Sequence, residues 1–84
     1  MKHATEIEGH ETPQQLARSL ANLRYDVLVA VLMELASELK QDSAKDLERD
    51  RPQIATCLRN MSEHISLAGT HCMNLWALCA KHMK

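Results

Sequence analysis

Phenylalanine is absent from the 84 residues, and Tyr25 and Trp76 are the only aromatics. Glycine and proline occur twice each. Sandwiches and barrels need frequent turn residues and strands rich in aromatic and β-branched side chains, so these shortages exclude them. Three cysteines are an odd number and make no closed disulfide framework; a reducing compartment would keep them as thiols. Charge of one sign is lacking too. Ten Lys and Arg stand against eleven Asp and Glu, with the signs interleaved through Lys45, Asp46, Glu48, Arg49, Asp50 and Arg51. No basic cluster is available to neutralise phosphates, which speaks against nucleic acid as a partner. The longest apolar run, Val27 to Met33, is far too short for a bilayer, and residues 1–8 hold no apolar stretch of signal-peptide length. The expectation is a cytoplasmic protein with no membrane contact.

Motifs for chemistry are equally scarce. There is no Cys-x-x-Cys pair, no Glu-x-x-His and no Gly-rich phosphate loop. Cys57, His64 and His71 recur every seven residues, while Cys72, Cys79 and His82 follow at spacings of seven and three. Thiolates and imidazoles bind zinc and copper, and a three-residue helical spacing can point two side chains at one ion. A metal- or redox-responsive sensor using Cys72, Cys79 and His82 is therefore the alternative reading. Against it, cysteine on an apolar stripe serves as a small hydrophobe. Cys57 beside His64 is the best nucleophile and base pair, and Glu34 and Glu38 lie one turn apart, but exposed Glu pairs on helices are commonplace. Met1-Lys2-His3 could wrap Cu(II) in a square plane through its amine, amides and imidazole. None of these outweighs the ordinary structural role of the same residues, so the expectation is no catalytic residue, no resident metal and no cofactor.

What the chain does contain is aliphatic: 45% of residues are apolar, nearly all Leu, Val, Ile, Met, Ala and Cys. A chain of this mass buries roughly 63% of its unfolded surface, a thin margin for one domain. Residues 1–11 lack periodicity and read as a flexible tail, leaving 12–84 as a single helical domain. Thr12-Pro13-Gln14-Gln15 is a helix start, with a capping hydroxyl, Pro where no amide partner is needed and Gln15 reaching back. From there one helix of about 28 residues is expected as far as the polar stretch Lys40 to Ser43, about 42 Å long. It carries one stripe of Leu16, Leu20, Leu23, Val27 and Val31 beside another of Tyr25, Leu28, Leu32, Leu35 and Leu39. The two merge at Val27 to Met33, where the helix is apolar all round and needs neighbours on more than one side.

Ser43 and Asp46 suggest a short connecting helical segment that ends before Pro52, after which Asp50 caps the last helix. That helix should run from about Arg51 to near Met83, about 50 Å. Ile54, Leu58, Met61, Ile65, Ala68, Cys72, Leu75 and Cys79 alternate spacings of four and three along it, an unbroken heptad seam that passes through Gly69. A second stripe of Ser66, Gly69, Met73, Trp76, Ala80 and Met83 lies alongside. Its small residues admit a close backbone and its large ones offer adaptable contact area, so Met73, Trp76, Gly69 and Ala80 are the candidate partner-binding residues.

The expected fold is all-α: an antiparallel hairpin of two long helices with a short connecting helical segment, completed by dimerisation as a four-helix-type bundle. The expected function is that of a small non-catalytic interaction protein, an antiactivator- or chaperone-like helical adaptor that forms a homodimer and binds another protein.

Overall fold

A computed structural model describes Glu6, Ile7, Gly9 and residues 12–82. Among the described residues there are three helices: α1 (Pro13–Ala21), α2 (Tyr25–Glu48) and α3 (Pro52–His82). The all-helical class holds, and two long helices pack together. Apart from Glu6, Ile7 and Gly9, the expected tail over 1–11 lies outside the described residues, as do Met1-Lys2-His3 and Met83.

α1 begins as its sequence dictates. Thr12 Oγ1 accepts from the Gln15 N–H at 3.2 Å, and Gln15 Oε1 accepts from the Thr12 N–H at 3.3 Å. With Pro13 in the first turn, the capping box is complete. The helix does not continue to Lys40, however. It stops at Ala21, and α2 starts at Tyr25, although no Gly or Pro lies between them. The Asn22 N–H closes α1 on the Arg18 carbonyl at 3.1 Å. Arg24 then folds onto Asp26, donating from Nε and Nη2 at 2.7 and 2.8 Å. Its guanidinium lies 5.5 Å from the centre of the Trp76 ring, so the junction is held by a contact with α3.

The expected break at Lys40 to Ser43, with its short connecting segment, is also absent. α2 runs unbroken to Glu48, because Lys, Gln, Asp and Ser are all tolerated in a helix that tertiary packing supports. Ser43 starts nothing; its Oγ donates to the Ala55 carbonyl across the hairpin at 2.6 Å. The chain reverses over Arg49 to Arg51. Asp50 takes a left-handed φ of 57° inside this turn, and α3 opens on Pro52. The Arg51 N–H donates to the Asp46 carbonyl at 2.9 Å. Asp46 itself is buried. Its Oδ1 has no hydrogen bond, but Arg51 Nη1 stands 3.6 Å away.

Across the hairpin Ser43 meets Ala55, Ala36 meets Ser62, and Tyr25 meets Cys72, so the helices are antiparallel. The seam differs from the expected one by a rotation of α3 about its axis. Leu58, Ile65, Cys72 and Cys79 do turn towards α2, but the positions beside them are Ala55, Ser62, Gly69 and Trp76. Ile54, Met61 and Leu75, the other half of the expected seam, keep 41%, 48% and 41% of their surface exposed. Small residues decide the rotation. Ser62 Oγ donates to the Ala36 carbonyl at 2.6 Å, a bond that needs the two backbones close together. A Cβ added at Gly69 would lie 2.6 Å from Met33 Cε, so the Met33 side chain packs over Gly69 in space that a larger residue would make it vacate.

Candidate protein-interaction faces

Two helices side by side have two broad faces, and among the described residues no other pair of helices packs as extensively as α2 and α3. The molecule measures 53 × 28 × 13 Å, and its shortest dimension is about the diameter of one helix. Among the described residues no large side chain is fully buried, and the buried apolar residues are Ala36, Ala55 and Cys72. The radius of gyration is 15.5 Å, against about 12 Å for a compact domain of this length.

The seam positions define the faces. On α3 the residues just before Ala55, Ser62, Gly69 and Trp76 are Ile54, Met61, Ala68 and Leu75, and all point to one side. In an antiparallel pair the matching flank of α2 is Leu28, Leu35 and Asp42, the residues just before Val29, Ala36 and Ser43. The inward rows of this first face are apolar apart from Asp42, and the next row on α2 is Val31, Glu38 and Lys45. Cys57, His64 and His71 border it as an exposed column.

The opposite flank contains Asp26, Met33 and Lys40 from α2 with Arg59, Ser66, Met73 and Ala80 from α3. Lys40, Arg59, Ser62, Glu63 and Ser66 line one shared recess there, which confirms that the two flanks meet. This second face is charged near its middle, and towards the open end of the hairpin it carries apolar side chains beside the ion-paired Asp26. There Met73 is 47% exposed and Ala80 is exposed.

Of the candidate partner-binding residues, Met73 and Ala80 thus lie on an accessible surface. Trp76 is half-buried under Arg24. Gly69 is buried in the seam beneath Met33. At the open end an apolar cavity of about 460 Å³ is lined by Leu23, Arg24, Tyr25, Trp76, Leu78, Cys79 and His82. Arg24 holds the Asp26 carboxyl below its ordinary value of 3.8, first through the side-chain hydrogen bond and also through its charge.

The thiols and imidazoles are not gathered. Cys72 is buried, with Sγ 3.4 Å from the Tyr25 carbonyl to which it donates. Cys79 is half-buried and His82 is exposed. Among the described residues no three His, Cys, Asp or Glu side chains are placed to share one ion, and no helix is long and apolar enough to cross a membrane.

One signal was available in the sequence for these faces. From His64 to Ala80 there is no Asp, Glu, Lys or Arg, yet within that span only Gly69 and Cys72 are buried. A long uncharged helix segment of this kind calls for neighbours on more than one side. No protein-family model, curated protein or solved structure matches the chain.

Proposed function

We propose that this chain is a small non-catalytic interaction protein, an antiactivator- or chaperone-like helical adaptor that self-associates and holds a partner protein. The reading rests on one observation above all: the hairpin is a single layer of helices with apolar side chains on its broad faces. Domains reach stability by packing at least two layers around a core. A second copy supplies that layer as a four-helix arrangement. Met73 and Ala80, with the accessible edge of Trp76, are the residues offered to the heterologous partner. Three unpaired cysteines accord with a reducing, cytoplasmic setting.

Light scattering over a hundredfold dilution tests the reading. Self-association gives a particle of twice the 9.5 kDa chain mass at the concentrated end. A persistent 9.5 kDa species with full helicity and no bound partner overturns it.

A further inference from the structure

We infer that the first broad face, formed by Leu28, Val31 and Leu35 of α2 with Ile54, Met61, Ala68 and Leu75 of α3, is the surface through which two copies of this chain pack face to face about a two-fold axis. The inference rests on the self-association proposed above and adds which side of the hairpin carries it.

Area is the first argument. The chain exposes 6949 Å², whereas a compact protein of its mass exposes about 5,000 Å². That excess is spread over the chain, including α1, which buries no residue, and the two faces of the hairpin; about half of it would meet the roughly 800 Å² per partner that a stable interface of ordinary size removes. From Ile54 to Leu75 the stripe on α3 alone is about 31 Å long, and the parallel row on α2 widens it to two helices.

Charge supplies the second argument and selects the occupant. In a two-fold interface each surface meets itself, so a face of one charge sign would repel its copy. The inward rows of the first face, Leu28, Leu35 and Asp42 with Ile54, Met61, Ala68 and Leu75, contain a single acid, Asp42, near the turn; Glu38 and Lys45 follow Val31 at the exposed edge and are of opposite sign. The second face carries Lys40, Arg59 and Glu63 at its middle, where self-packing would have to desolvate them. The first face also matches itself in size. Ile54 and Leu75, and likewise Met61 and Ala68, are equidistant in sequence from the midpoint of the stripe. An antiparallel α3–α3 crossing there sets the long Met61 against the small Ala68 of the second copy and Ile54 against Leu75. Both of the inward rows then lose their exposure while Met73 and Ala80 remain accessible.

Met61→Lys tests the assignment, with Leu35→Lys as a second reading of the same face and Met73→Lys as the control on the other. All three side chains are between 45% and 48% exposed in the single hairpin, so lysine there is compatible with its fold. Circular dichroism checks helicity, and should Met61→Lys lose it, Leu35→Lys decides. The expected result is a dimer dissociation constant raised a hundredfold or more by either first-face variant, since each buries two unpaired ammonium groups. Met73→Lys stays dimeric. Mixing Met61→Lys with Ala68→Glu restores the dimer, because the introduced lysine and glutamate then face each other across the two-fold axis. A first-face variant that remains helical and dimeric, or a Met73→Lys protein that alone becomes monomeric, overturns the assignment while leaving self-association intact. A wild-type chain that stays at 9.5 kDa throughout overturns both.

Discussion

Ser62 shows how one small residue organises the hairpin. Its hydroxyl lies in the seam and donates to the Ala36 carbonyl at 2.6 Å, while Ser43 does the same to Ala55 further along. Each bond is polar, buried or partly so, and satisfied, which is the condition under which a polar group in a core is not a liability. Ser62→Ala removes the donor without adding volume, and the Ala36 carbonyl keeps its bond within α2. The expected cost is about 1 kcal/mol, the net worth of one intramolecular hydrogen bond. Urea denaturation at fixed protein concentration measures it, and an unchanged midpoint would mean that the bond adds nothing. Ser62 attracted no functional interest from its sequence position, since a lone serine among helix formers reads as an exposed residue.

At the scale of elements the three helices are held very differently. α2 and α3 support each other over most of their length. α1 has no buried residue, although Leu16 and Leu20 give it an apolar stripe that Leu23 continues beyond its end. A helix of nine residues has little stability of its own in water. Its amides should therefore exchange with solvent orders of magnitude faster than those of α2 and α3 around Ala36 and Ser62, despite its complete capping box. Hydrogen exchange read residue by residue checks this. Equal protection in α1 would show that its stripe is covered in solution, for instance by the second copy. The Arg24 contacts with Asp26 and Trp76 fasten the chain just after α1 to the hairpin.

For the whole molecule the governing fact is thickness. A slab 13 Å deep has no interior in which a large side chain can leave water completely, and its core consists of Ala36, Ala55 and Cys72 flanked by half-buried Leu58 and Ile65. Stability then depends on what lies against the broad faces. If the second layer is another copy, folding is linked to concentration by mass action. The melting temperature should rise by about 3–5 °C for each tenfold increase in protein, given a dimer of this combined length. Calorimetry at three concentrations decides it. A melting temperature independent of concentration, in a protein with full helicity, would show that one hairpin is stable alone.

The amino-acid order by itself determined the properties that depend on near neighbours. The helical class, the start at Thr12, the stop before Pro52 and the passage of α3 through Gly69 all follow from propensity, capping and spacing within a few residues. Three features were settled only by tertiary structure. The break at Asn22 to Arg24 needs Trp76 beneath the Arg24 guanidinium, a contact across more than fifty residues of chain. The continuation of α2 through Ser43 needs the Ala55 carbonyl opposite. The rotation of α3 is the largest of the three. A heptad pattern fixes an apolar arc on a helix but not which edge of that arc faces the neighbour. Here Ala55, Ser62 and Gly69 let the backbones come closer than Ile54, Met61 and Ala68 with Leu75 would permit, and the larger side chains were turned outward onto the broad face.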